Sequence, residues 1–152
     1  AKQKNIRLPK YNIEIKSTPE GDGVYHPSVD TFVALVLAEI KKLDLDSLCF
    51  IQSFDVRALE EVHKQNPSIK TAYLVENTQS IDENLQKLSF KPNIYSPDYA
   101  LIGQKEVEYL HSKNLKVIPW TVNTPEDIQK VLSYGVDGMI SDYPDRVLNQ
   151  IK

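Results

Sequence analysis

The sequence holds one cysteine, one methionine, one tryptophan and five glycines in 152 residues. A single cysteine excludes an internal disulfide, and Cys49 stands in the apolar run Leu48-Cys49-Phe50-Ile51, so it is expected in the core. That is compatible with a reducing compartment without requiring one. No apolar run approaches the roughly 18 to 20 residues of a membrane-spanning helix. Lysine and arginine number 18 against 21 acids, a formal charge of -3, and no long basic run occurs. A nucleic-acid or anionic-membrane surface is therefore unsupported. With so few glycines there is no glycine-rich phosphate loop, and neither a nucleophile elbow nor a Cys/His metal cluster is present. No signal-peptide pattern opens the chain, which leaves its compartment, cytoplasmic or exported, unassigned. The first residue is Ala1 and the one methionine is Met139, which suggests a chain cut from a longer one.

What is present is enough to build a core. The chain is 41% hydrophobic and 26% charged, the balance of an ordinary globular protein, and its length fits a single domain over residues 1–152. Short β-type runs alternate with helix-period stripes. The spacing predicts strands at Tyr11–Lys16, Leu48–Phe54, Ile69–Val75, Asn93–Ser96, Lys116–Val122 and Gly138–Ser141. Val29, Phe32, Val33, Val36, Leu37, Ile40 and Leu43 follow one helical face, and shorter stripes follow each later strand. Thr124-Pro125-Glu126-Asp127 is a helix start, with a capping hydroxyl, proline at the first position and acids in the first turn. Gly135 is placed to end that helix, and Asn66-Pro67 to end an earlier one.

Strand centres near 50, 73, 95, 118 and 139 lie 23, 22, 23 and 21 residues apart. That regularity predicts repeated βα units and a parallel sheet. A longer first gap contains the polar loop Ser17–Pro27. Spacing alone leaves a doubly wound sheet and six-eighths of a barrel equally open, and both place function at the carboxyl ends of the strands.

The first strand carries the most chemistry. Period-2 geometry sends Ile13 and Ile15 to one face and Glu14 and Lys16 to the other. Charge on a sheet face needs a partner. Either the two pair with each other at a partly open surface, or Glu14 ligates a hard divalent cation while Lys16 neutralises a phosphate. Trp120, at a later strand end, is either core or a pocket wall. Asn123, Asp142 and Ser53 double as helix-start candidates. His63 and His111 fall on helices with surface roles expected, and His26 either approaches a ligand or leads into the next helix. Glu20 and Asp22 are expected to be solvated.

At these residues the chain resembles the glycerophosphodiester phosphodiesterase family. The carrying motifs are Asn12-Ile13-Glu14-Ile15-Lys16, Gln52-Ser53-Phe54-Asp55, Trp120-Thr121-Val122-Asn123 and Gly138-Met139-Ile140-Ser141-Asp142-Tyr143-Pro144, in family order. Ser141 departs from the frequent threonine but keeps a hydroxyl. The resemblance implies an α/β fold, a parallel TIM barrel of which this chain holds six of eight βα units. It covers nearly the whole chain after Leu8, with Tyr11–Lys16 matching strand three and Gly138–Ser141 strand eight. The family's His-Arg-Gly, Pro-Glu-Asn-Thr and Glu-x-Asp segments and its second catalytic histidine have no counterpart here.

The implied reaction is metal-dependent hydrolysis of a glycerophosphodiester to an alcohol and glycerol 3-phosphate. By residue match Glu14 would ligate calcium or magnesium, and Lys16 and Trp120 would bind substrate. The resemblance places no catalytic residue in this chain, so activity is expected only with the missing N-terminal part. Strands three and eight would otherwise be open edges, which implies a homo-oligomer or association with that part. The alternatives are a non-catalytic phosphate-ligand or interaction domain derived from the same barrel, and another phosphate-handling barrel enzyme.

Overall fold

The structure is a computed structural model that describes residues 9–151, so Ala1, on which the expectation of truncation rests, lies outside them. Five strands form a parallel α/β sheet, hydrogen-bonded in chain order. They are β1 (Tyr11–Glu14), β2 (Cys49–Ser53), β3 (Lys70–Val75), β4 (Ile94–Pro97) and β5 (Lys116–Val117). Among the described residues four α-helices lie between them, α1 (Val29–Lys42), α2 (Val56–Gln65), α3 (Ile81–Leu85) and α4 (Gln104–Ser112), and two follow β5, α5 (Pro125–Ser133) and α6 (Pro144–Gln150). The chain divides into two compact units, one running to Ala72 with Gln86–Lys91, the other comprising Tyr73–Leu85 and the residues from Pro92 onward.

In the first unit, Ile15, Val33, Ile40, Cys49, Ile51, Ala58, Val62 and Ile69 form the core, with Ile13 packed against it. The period-2 reading of β1 therefore holds: the isoleucines face the helices, which leaves Glu14 on the other face. Cys49 is buried as expected, and burial pushes its thiol up. Leu43 departs from the helical stripe. It caps α1 rather than continuing it, and it is exposed, because the chain turns at Asp44 with positive φ.

The second unit is organised around Val122, Ile128 and Val131, with Tyr99, Leu132, Val136, Met139 and Val147 packed against them. Thr124 caps α5 by accepting a hydrogen bond from the Asp127 amide, with Pro125 at its first position. Gly135 follows at φ 79°, the left-handed conformation that ends the helix.

Three strand expectations are corrected. The run Lys116–Val122 is a strand only over its first two residues, and Gly138–Ser141 is not a regular strand. The two segments still run together. Asp137 N–H donates to Val117 O, Ile140 N–H to Pro119 O, and Val122 N–H to Ile140 O. Proline offers no N–H at position 119, so a continuous ladder cannot form there. β1 likewise stops at Glu14 rather than Lys16. Ile15 N–H still donates to Gln52 O, but the Ile15 carbonyl is taken by the Ser53 hydroxyl at 2.7 Å, a side chain replacing the ladder.

Candidate active site

Parallel pairing of β1 with β2 sets Glu14 directly beside Gln52. The Gln52 amide then links two residues of β1. Its oxygen accepts from Asn12 Nδ2 at 2.6 Å, and its Nε2 donates to Glu14 Oε2 at 3.3 Å. Lys16 Nζ stands 3.8 Å from the other Glu14 oxygen, with its side chain 82% exposed against 26% for Glu14. An ammonium this open makes a weak pair, worth well under about 1 kcal/mol, so it can turn to another anion at little cost. The carboxylate is held and the ammonium is available.

Both line an open cavity of about 440 Å³ with Ser17, Thr18, Tyr25, His26 and Phe54. One wall is the loop after β1, and its shape is fixed locally. Thr18 Oγ1 accepts from Gly21 N–H, and the Thr18 amide donates to His26 Nε2 at 3.1 Å. His26 Nδ1 in turn lies 2.8 Å from the Pro27 carbonyl, so the neutral ring carries its proton on Nδ1. A Cβ at Gly21 would run into His26 Nε2, so only glycine lets the ring approach this closely. Gly21→Ala is expected to displace His26, cost about 1–2 kcal/mol and speed hydrogen exchange at the Thr18 amide. Unchanged exchange and melting would show that the ring position does not matter.

The loop is also tied to α2. Asp55 caps that helix by accepting from Arg57 N–H, and accepts from the Ser17 hydroxyl at 2.7 Å and from Arg57 Nη2 at 2.7 Å. Arg57 Nη1 reaches on to Asp22 at 2.8 Å. Burial pushes the Asp55 carboxyl up, but hydrogen bonds from Arg57 and Ser17 outweigh it and hold it below its ordinary range. Asp22 is thus an anchor of the loop rather than a merely solvated acid. Ser53 does not start the helix; Asp55 does, and Ser53 bonds β1 instead.

In the second unit Trp120 is half-buried beyond the end of β5. Its indole N–H donates to Ser96 O at 2.9 Å and its backbone N–H to Pro97 O, so the ring is fixed from two directions. Asn123 and Asp142 are not helix caps. Asn123 Nδ2 donates to Asp142 Oδ2, while Asn123 Oδ1 accepts from the Asp142 amide and the Ser141 hydroxyl. His63 is exposed and stacks on Phe90, and His111 pairs with Asp137 at 2.9 Å, both surface roles.

Of the two readings open for His26, the structure supports the one beside a ligand cavity; residue reasoning missed Tyr25 in that cavity and Gln52 as the partner of Glu14. Gln52 was legible as a strand-end polar residue, but its pairing with Glu14 depends on register. Tyr25 gives no local signal.

A divalent cation takes about six to eight oxygens. Among the described residues no group of three His, Cys, Asp or Glu side chains could hold a metal ion. Glu14 offers one carboxylate, already bonded on one oxygen, so these residues by themselves do not fit such an ion. No helix of the described residues is long and apolar enough to cross a membrane.

Similarity to known proteins agrees with the fold. A glycerophosphodiester phosphodiesterase of Bacillus subtilis is 34% identical over 98 residues, 62% of this chain and 33% of that protein. One from Caldanaerobacter subterraneus is 28% identical over 141 residues, covering 93% of this chain and 55% of that one. A solved protein of Silicibacter pomeroyi bearing the family's name superposes with a TM-score of 0.81 at 29% identity, covering 94% of this chain and 50% of its own. The chain thus spans about half the length, or less, of the relatives it matches. The model of the glycerophosphoryl diester phosphodiesterase family matches residues 4–146, and the chain belongs to that family.

Proposed function

We propose that this chain is the C-terminal part of a phosphodiesterase barrel that hydrolyses glycerophosphodiesters to an alcohol and glycerol 3-phosphate. The observation that carries the reading is the pairing of a held carboxylate, Glu14, with an available ammonium, Lys16, in one cavity at the carboxyl end of β1. Lys16 meets the phosphate, where its charge offsets the negative charge that grows on phosphoryl oxygens as the diester is attacked. Glu14 would contribute one carboxylate to a divalent cation, calcium or magnesium, with the other ligands supplied from outside the described residues. When bound, such an ion supplies Lewis-acid stabilisation of the phosphoryl group. Gln52 orients the Glu14 carboxylate.

The proton-moving groups are assigned to sequence beyond this chain, which accords with its covering about half of its relatives. In the working protein the β1 edge is covered by that missing N-terminal part or by a second copy, since an edge strand leaves backbone groups unpaired.

The test joins this chain to the upstream half of the family domain and follows glycerol 3-phosphate release from a glycerophosphodiester. Release that stops on chelation with EDTA and returns with calcium or magnesium is the expected result. The 152-residue chain by itself should release none. A folded joined protein without activity would favour a non-catalytic phosphate-binding module.

A further inference from the structure

The cavity beside Glu14 is not polar throughout. Its charged groups, Glu14 and Lys16, come from the end of β1, whereas Tyr25 and Phe54 supply aromatic surface from two different elements. Tyr25 is 89% exposed and Phe54 44% exposed. Tyr25 does not protrude because its loop is slack. The Val24 and Tyr25 amides both donate to Gly21 O, Gly23 N–H donates to His26 O, and Arg57 clamps Asp22 from outside. The backbone therefore fixes a tyrosine facing solvent at the rim of a cavity that also holds an available ammonium. Phe54 follows directly on β2, so its backbone is set by the same strand that sets Gln52. Charged groups with aromatic rings in one concavity match a ligand with an anionic end and a weakly hydrated end.

We propose that Tyr25 and Phe54 receive the alcohol moiety of the substrate and select bulky, weakly hydrated alcohols, trimethylammonium or branched alkyl, over small polar ones. This rests on the phosphodiesterase reading, because it takes Lys16 as the phosphate contact. Aromatic faces attract quaternary ammonium groups through the ring quadrupole and branched alkyl groups through apolar burial. Neither attraction is available to a small, well-hydrated alcohol. The aromatic wall therefore sets which diesters bind, while the charges set that a phosphate binds at all.

The test uses the 152-residue chain and three probes: inorganic phosphate, phosphocholine and 3,3-dimethylbutyl phosphate, in which a neutral tert-butyl group replaces the trimethylammonium of phosphocholine. Their affinities are read by NMR titration. Both organic phosphates are expected to bind about tenfold tighter than inorganic phosphate, the gain of one or two aromatic contacts. Preference for phosphocholine over its isostere would assign the gain to ring–cation attraction, and equal affinity to apolar burial. Tyr25→Ser and Phe54→Ser should each shrink the tenfold ratio, and the double variant should bring it near one. Tyr25→Phe should restore it, which separates ring contact from a folding effect. Lys16→Ala should weaken all three probes together. If the three probes bind the unaltered chain equally, the alcohol-site inference is overturned while the phosphate reading stands. If no probe binds, or if binding ignores Lys16, the phosphate reading falls and this inference with it.

Discussion

Glu14→Gln in the joined protein is expected to lower kcat/KM for a glycerophosphodiester by about 10²–10³-fold, the range found when one electrostatic stabiliser of a transition state is removed. The substitution is nearly isosteric, so packing on β1 should survive. An amide can still accept from Gln52 Nε2 as the carboxylate does at 3.3 Å. What it loses is the negative charge, and with it the oxygen that a hard cation would seek. Two signatures follow. The calcium or magnesium concentration needed for half-maximal activity should rise, and the melting temperature should stay close to that of the parent. Steady-state assays across a divalent-ion titration, with calorimetry as the folding control, measure both. Full activity in the Gln variant would remove Glu14 from the site and leave its Lys16 pairing as a surface contact.

Asp55→Ala should be the most destabilising polar substitution around the cavity, at about 2–3 kcal/mol. Loss of a helix cap costs about 1 kcal/mol. The remainder comes from leaving the Ser17 hydroxyl and part of the Arg57 guanidinium without their acceptor. The Asp55 side chain is only 8% exposed, but Arg57 is 36% exposed and can recover water, which keeps the loss below that of a fully buried pair. The pH dependence has a definite sign. The folded carboxyl titrates below its ordinary value of 3.8, so its stabilisation is complete above that value and is lost as pH falls through the lower, folded-state pKa. Urea unfolding at pH 6 and at progressively lower pH should therefore show the gap between the parent and Asp55→Asn narrowing below about pH 4. A gap that is independent of pH would mean that the Asp55 charge contributes nothing. Because Arg57 also holds Asp22, the same variant should loosen the loop carrying Thr18, Tyr25 and His26.

How far the sequence reached depends on the range of the interaction that fixes each feature. The face assignment of β1 needed only the period-2 alternation of Ile13 and Ile15 with Glu14 and Lys16, and the packed isoleucines agree with it. The cap at Thr124 and the left-handed Gly135 were likewise set within one helical turn. Strand ends fared less well. Lys116–Val122 reads as continuous because β propensity is summed over a window, whereas one missing donor at Pro119 decides the ladder. Ser53, Asn123 and Asp142 all carry side chains that cap helices elsewhere. Each instead met a partner 18 or more residues away, Ile15 for Ser53 and one another for the remaining two.

The sequence by itself determined the order of βα units, the face on which the charged pair stands, and, through four short motifs, the family. Those features follow from side-chain alternation, local capping and residue identity, all of which act along the chain. Tertiary structure alone decided that Gln52 holds Glu14, that Asp55 and Arg57 brace the loop after β1, and that Tyr25 and His26 join the same cavity. Each depends on strand register or on a long-range ion pair. A register shift of one residue would send Gln52 to the opposite face without changing a letter of the sequence.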